Sequence, residues 1–380
     1  MLYKIIIVAC LTTILKSSRR KINDDKVDLE ELMKDFKKPT IDESSKKINY
    51  HMSGLENFET TIVKDILSDF SKVSCLLFNH QTKPFTGPGI VFKKDSHTNV
   101  KTNSTDKNTI ITLDRDCSAS YACIRLLVGY TLGMIPQVNR QDRDKYVIVN
   151  KDNIEKKYFK KFKKLSSPLF KGAGEFDFGS FFNREYTYKS IDDIKESYSP
   201  KTIHNYYKML GQRNELSHND MKILHNFYCG QDKANKDKCK NGGFYNEKVK
   251  KCVCPRGFES EDCTKLIQKL SECGNSKIFA TDKNETLHYH GKGPCFYQIV
   301  SKDSSKKLKL EVRKGDFPNA KPCTPYNGLE IRYTSDKSVT GLTLCGYNNI
   351  RVPLPVQSKV VFVGYNGGKD HYFNITYMAV

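Results

Sequence analysis

The sequence predicts an α+β domain, then a small cysteine-held unit, then an all-β sandwich. Three observations lead there. Apolar residues at helical spacing alternate with short strand-like runs from about residue 46 to Cys229. Four cysteines crowd into the stretch from Cys239 to Cys263. Beyond it, apolar and polar residues alternate in runs that suit strands with one buried face, as far as Val380. No internal repeat runs through the chain.

Within the first unit, Ile62, Ile66, Leu67 and Phe70 share one face of a predicted helix over 59–70, ahead of a short apolar run from Cys75 to Phe78. The runs 89–92 and 109–113 are rich in β-branched and aromatic residues and read as strands. A second helical pattern covers roughly 123–135. A helix, a small sheet and another helix make an α+β layer.

Lys4 precedes an apolar run from Ile5 to Leu15, broken by Lys16, Ser17, Ser18, Arg19 and Arg20. That run is too short to span a bilayer and reads as a secretory signal over 1–18. No later stretch reads as a membrane span. Residues 19–45 read as a charged leader or propeptide-like segment, a flexible stretch in which Val27, Leu29, Leu32 and Phe36 could form one short amphipathic helix. Of 13 cysteines, Cys10 leaves with the signal, and the even remainder points to disulfides in an oxidising, extracellular compartment. Asn103, Asn284 and Asn374 head Asn-X-Ser/Thr triplets and are candidate glycosylation sites.

The formal charge of +20 comes from lysines that read as spread along the whole length. Basic character favours acidic partners such as glycosaminoglycans or anionic surfaces. With no compact basic cluster interleaved with aromatics picked out, and with a secretory start, nucleic acid is excluded as a partner.

Three blocks then carry a specific resemblance. Arg140-Gln-Asp-Arg-Asp-Lys-Tyr-Val-Ile-Val-Asn150, with Asn153 and Ile154, resembles the R-P-D-R-D-x-Y-V-x-I-N-x-x-N-I segment after the zinc helix of astacin metalloproteases. Phe176-Asp177-Phe178-Gly179-Ser180 resembles their Y-D-Y-G-S, and Gly211-Gln212-Arg213 with Leu216, Ser217 and Asp220 their G-Q-R-x-x-L-S-x-x-D. The resemblance covers about 180 residues and implies an astacin-like domain over 46–229.

Such enzymes hold zinc with H-E-x-x-H-x-x-G-x-x-H, two histidines one turn apart and a third delivered past a glycine, with the Glu as general base. The resemblance places Leu126, Tyr130 and Pro136 at the three histidine positions and Leu127 at the base, with Gly129 and Gly133 kept. Phe182 stands at the methionine of the Met-turn, Arg184 at the tyrosine ligand and Gln137 at the Glu that receives the mature N terminus. No F-x-G-D aspartate lies in 19–45. A leucine is neither ligand nor base, so no cofactor is expected, zinc belonging to the active members. Leu126, Leu127 and Tyr130 are expected to fill the vacated pocket. His204, His218 and His225 lack ligand spacing, and His288 and His290 fall in a different unit.

The segment Cys239–Cys263 resembles a truncated EGF-like module, within 230–264, and 265–380 resembles a CUB domain through Cys295-Phe-Tyr-Gln-Ile, Asn327-Gly-Leu-Glu-Ile and Cys345-Gly. Leu308, Leu310 and Val312, then Leu329 and Ile331, then Val361 and Val363, then Phe373, Ile375 and Tyr377, give the alternation of a sandwich core. Asn327 replaces the aspartate of calcium-binding relatives. The resemblances imply the bridges Cys75–Cys229, Cys239–Cys252, Cys254–Cys263, Cys273–Cys295 and Cys323–Cys345, leaving Cys117–Cys123 as a local pair.

The expectation is thus a secreted, non-catalytic protein acting on extracellular proteins or peptides, its cleft able to hold an extended peptide along a sheet edge. Two alternatives stand beside it: a zinc-dependent metalloendopeptidase with an atypical metal site, and an adhesive polyanion-binding protein.

Overall fold

The computed structural model describes residues 27–34, 36, 46–103, 105–171, 174–230, 238–267 and 270–380. The signal at 1–18, Cys10 and most of the leader lie outside the described residues.

The chain enters through a one-and-a-half-turn helix, α1 (Leu29–Lys34), whose Leu29, Leu32 and Met33 are buried. This is the short amphipathic helix that the sequence allows within 19–45. Val27, Leu29, Leu32 and Met33 belong to the same core cluster as the first domain's sheet and helices. Burying these apolar side chains contributes roughly 1.5–3 kcal/mol each, which offsets much of the cost of ordering the segment.

Five strands follow: β1 (Lys47–Ser53), β2 (Leu77–His80), β3 (Ile90–Lys94), β4 (Asn99–Thr102) and β5 (Thr109–Leu113). They form one sheet in the order β2-β1-β3-β5-β4, parallel except for β4, which runs antiparallel to β5 at the edge. Helix α2 (Asn57–Val73) covers the sheet with Ile62, Val63, Ile66, Leu67 and Phe70. Its buried Glu59 accepts hydrogen bonds from the Glu56 amide at 2.9 Å and the Ser118 hydroxyl at 2.6 Å, and pairs with Lys94. Those donors are the condition for burying a carboxylate. After α3 (Arg115–Ser118) comes α4 (Tyr121–Thr131), capped by Ser120, whose hydroxyl accepts from the Cys123 amide.

The polypeptide then runs through 3₁₀ turns and a short pair, β6 (Val147–Val149) with β7 (Tyr198–Pro200), to helix α5 (His218–Cys229). Disulfides Cys75–Cys229 and Cys117–Cys123 join the ends of α2 to α5 and α3 to α4. Next, β8 (Phe244–Asn246) pairs with β9 (Lys251–Val253), and β10 (Phe258–Glu259) with β11 (Lys265–Leu266). Cys239–Cys252 and Cys254–Cys263 hold these ribbons, which have too few apolar residues for a core of their own.

Nine strands complete the chain: β12 (Lys277–Ala280), β13 (Glu285–His290), β14 (Cys295–Ser301), β15 (Leu308–Asp316), β16 (Leu329–Arg332), β17 (Leu342–Leu344), β18 (Val352–Leu354), β19 (Val360–Tyr365) and β20 (Tyr372–Ala379). They make a five-stranded sheet, β12-β14-β19-β16-β17, and a four-stranded sheet, β13-β20-β15-β18, carrying disulfides Cys273–Cys295 and Cys323–Cys345. The mixed α+β first part and the all-β last part are the fold class the sequence predicts.

Alternation fails on β16 and β19, where the expected outward positions are buried too: Glu330, Arg332 and Phe362. The reason is a neighbour. Phe258 of β10 stacks near Phe362, and Arg332 lies over the same ring, so the outer face of this sheet is covered by the cysteine-held segment. A second core cluster also runs unbroken from Val138, Phe178, Tyr206 and Met209 into Leu329, Ile331 and Leu342 of the sandwich.

One compact basic segment escaped the sequence reading. Residues 156–164 carry six lysines among Tyr158, Phe159 and Phe162, mostly on a 3₁₀ turn, Lys156–Phe162. Ion pairs take up Lys157 with Glu155, Lys160 with Asp28, Lys163 with Glu30 and Lys164 with Asp144.

Candidate functional site: a filled cleft

Helix α4 presents Leu126 and Tyr130 on one face, four residues apart, with Leu127 beside them, and all three side chains are buried. The helix stops at Leu132, and Gly133 at φ +88° turns the chain toward Pro136, also buried. Phe182 lies under the helix with its ring against Gly129 and 6.1 Å from the Tyr130 ring. Arg184 is buried with its guanidinium 4.0 Å from the Tyr188 ring centroid. The structure therefore gathers the sequence-predicted positions into one place, but as packed core.

What lies over them is the chain's own N-terminal segment. Phe36 presses on Gly133 and faces Phe227 of α5 at 6.4 Å. Helix α1 lies against edge strand β4. Val27, Leu29 and Leu165 approach Arg184 and Asn139 around a void of only about 20 Å³, room for a single water at most. Lys161 donates to the Val27 carbonyl at 2.9 Å, and Lys163 to Glu30 at 2.9 Å. At the sheet edge where an extended-peptide groove is expected, helix α1 therefore lies against β4. Sequence periodicity marked Val27, Leu29, Leu32 and Phe36 as one face, but nothing in it says where that face docks.

The residues do not fit a zinc ion. A tetrahedral site needs nitrogen, sulfur or carboxylate donors converging at about 2 Å. Two leucines, a proline and one phenol do not supply them, and among the described residues no group of three or more His, Cys, Asp or Glu could hold a metal ion.

Gln137 does other work. Its Oε1 accepts from Arg140 at 3.0 Å and from the Asp177 amide at 3.3 Å. Arg140, fully buried, also pairs twice with Asp142 at 2.9 Å and donates to the carbonyls of Gly174 and Glu175.

Behind the site, Asp177 and Asp220 are fully buried. Asp220 accepts from Ser180 at 2.7 Å and from the amides of Phe181 and Ser217, while Asp177 accepts from Ser217 at 2.7 Å, the Gly179 amide and the Thr340 amide of the sandwich. Burial raises both carboxyls, that of Asp220 to about 7. These residues hold the fold together and touch no open cleft face at the zinc positions.

The histidines are dispersed. His204 is exposed near Glu196, and His288 and His290 are exposed on β13. His218, half-buried, and His225, buried, pack against the Phe244 ring, and loss of hydration pushes His218 down to about 3. Asn284 is exposed, Asn374 is half-buried on β20, and the Asn103 amide donates to Asp106 at 2.9 Å. Asn327 closes a turn by accepting from the Thr324 amide at 2.8 Å.

This architecture, a helix-backed mixed sheet whose second long helix leads into a glycine turn, is that of a zinc-peptidase scaffold. The profile of the astacin peptidase family matches residues 37–229, and the chain belongs to that family. It is 29% identical to the zinc metalloproteinase nas-34 of Caenorhabditis elegans, over 69% of this chain and 44% of that protein. It is 25% identical to the zinc metalloproteinase dpy-31 of Brugia malayi, over 86% of this chain and 57% of that protein. The chain thus spans about half the length of these curated relatives. Among solved structures, High choriolytic enzyme 1, a hatching enzyme zinc-protease from Oryzias latipes, matches 48% of this chain and 89% of its own at 21% identity and TM-score 0.42. The CUB1-EGF-CUB2 domain of human MASP-1/3 matches 39% of this chain and 57% of its own at 18% identity and TM-score 0.23. No helix among the described residues is long and apolar enough to cross a membrane.

Proposed function

We infer that the chain is a secreted, non-catalytic member of the astacin family, a binding protein that acts on extracellular protein partners. One observation supports the reading: Leu126, Leu127, Tyr130 and Pro136, which the resemblance assigns to the ligand and base positions, are buried in the core together with Phe182. Zinc hydrolysis needs a metal to lower the pKa of its water and a base beside it. Neither has donors here. The six disulfides support an oxidising address. The basic segment 156–164 weighs against a polyanion-binding role, because carboxylates of the chain already pair with four of its lysines.

The test is metal analysis of the purified full chain, paired with digestion of a broad peptide library. The reading expects less than a tenth of an equivalent of zinc and no chelator-sensitive cleavage. Stoichiometric zinc with cleavage abolished by a chelator would establish the metalloendopeptidase instead.

A further inference from the structure

A cleft of about 630 Å³ opens where three parts of the chain meet: the C-terminal end of α2 with the 212–221 segment, the disulfide-held turn at Arg256, and the outer face of the five-stranded sandwich sheet. Its volume is that of pockets which take small molecules or short peptides, roughly 300–1,000 Å³. None of the zinc positions lines it, although Arg125, the neighbour of Leu126, does.

Arg256 dominates its chemistry. The guanidinium lies 5.0 Å from the ring centroids of both Phe296 and Tyr326, held between two aromatic faces. Among the described residues it makes no hydrogen bond. The nearest carboxylate, Glu330, stands 3.8 Å away and is already engaged, by Arg332 at 2.7 and 3.1 Å and by the Gly341 amide at 3.1 Å. The other cations of the lining are matched in the same way: Asp69 pairs with Arg125 at 2.9 Å and Lys72 at 3.0 Å.

A second observation points to an absent occupant. Three buried donors belonging to lining residues lack hydrogen-bond partners: Nη1 of Arg256, Nη1 of Arg332 and Oγ1 of Thr324. Buried donors are nearly always satisfied, and an unsatisfied one is costly. Such a group of orphans around one opening marks a polar site that a ligand completes.

We propose that this three-way junction is a binding site for a carboxylate-bearing peptide, with Arg256 pairing the carboxylate between the Phe296 and Tyr326 rings. A guanidinium fork matches a planar carboxylate through two parallel N–H bonds. A polysulfated chain fits worse, since Asp69, Glu215 and Glu330 also line the cleft and would repel its successive charges. The site goes beyond the reading above and stands whether or not the zinc positions are dead. The carboxylate has two sources, an acidic side chain or a chain terminus.

The test uses the full chain and three fluorescein-labelled hexapeptides in polarisation titrations. One carries a central Glu among apolar residues, the second carries Gln there, and the third has no acidic side chain but a free C terminus. The expected result is at least tenfold tighter binding of the Glu or the free-terminus peptide than of the Gln peptide. That preference vanishes in Arg256→Gln and binding weakens three- to tenfold in Tyr326→Ala, a substitution at a half-exposed side chain. Equal binding of all three peptides overturns the site, as does an undiminished preference in Arg256→Gln. Should Arg256→Gln fail to fold, an unchanged affinity in Tyr326→Ala overturns it alone. Arg256-dependent binding of a heparin hexasaccharide in place of the peptides also overturns it.

Discussion

The Phe36 ring rests on the Cα of Gly133: a Cβ added to that glycine would lie 2.5 Å from Phe36 Cζ and 2.7 Å from Leu169 Cδ1. The glycine that the resemblance places at the bend toward a third ligand receives a side chain from the N-terminal segment. Two substitutions test the contact. Gly133→Ala, at φ +88° and with no space, should lose roughly 2–4 kcal/mol. Phe36→Ala, partly buried, should lose about 1–3 kcal/mol. Urea unfolding measures both, and a Phe36→Ala midpoint equal to that of the parent would mean the segment does not hold the cleft closed.

Leu127, which the resemblance places at the general base, is fully buried. Leu127→Glu should therefore create an uncompensated buried carboxylate and destabilise by several kcal/mol, more than Leu127→Ala at about 2–5 kcal/mol. The comparison is made by thermal melts at pH 7. A Leu127→Glu variant as stable as the parent would reveal a solvated or donor-rich pocket.

The contrast between α4 and α1 explains what could be read from the chain. That Leu126, Leu127 and Tyr130 share a buried helix is legible from the helical spacing of apolar residues over 123–135. The parallel sheet was only half legible: β3 and β5 are apolar runs, whereas β4, Asn99–Thr102, is a short polar edge with one buried residue, Val100. Docking of α1 was illegible, because its amphipathic face is equally consistent with any apolar surface. Burial of Glu330 and Arg332 was hidden for a related reason. Alternation reports two faces of a strand, and only tertiary structure shows that a second module covers the outer one.

His218 predicts a pH dependence. Its Nε2 hydrogen-bonds the Gly242 carbonyl at 3.0 Å, and burial lowers its pKa from 6.5 to about 3. The folded state therefore resists protonation while the unfolded chain takes up a proton below 6.5, so stability is full above 6.5 and falls as pH drops toward 3. Between pH 7 and pH 5 the loss should be about 2 kcal/mol. His218→Gln should be less stable at pH 7 but show that much less decline between the two values in urea titrations. An identical decline would assign the effect elsewhere.

Asp177 and Asp220 act with the opposite sign. Burial raises both above the usual carboxylate range, so the unfolded chain releases protons first and the pair's contribution is lost as pH rises from about 4 to about 7. Asp220→Asn removes one ionisation and should flatten that part of the stability profile, read as melting temperature against pH in low-salt buffers. A profile as steep as the parent's would show that the pair stays ionised.

The Thr340 amide donates to Asp177 at 3.2 Å, the Tyr206 and Tyr333 hydroxyls meet at 3.3 Å, and the Thr343 amide points at Met209 Sδ at 3.2 Å. All three contacts cross from the astacin-like part to the sandwich, and Tyr206, Tyr333 and Met209 belong to one continuous apolar cluster. Domains joined by a linker melt separately, whereas domains that share a core melt together. Calorimetry of the full chain should show a single transition, and truncation after residue 267 should leave Phe178, Tyr206 and Met209 exposed, with a lowered melting temperature and dye binding typical of open apolar surface. Two resolved transitions, or a truncated chain as stable as the whole, would mean that the sandwich is only tethered. In that case the cleft beside Arg256 would also lose its fixed walls, since Phe296 and Tyr326 are carried by the sandwich and Arg256 by the segment before it.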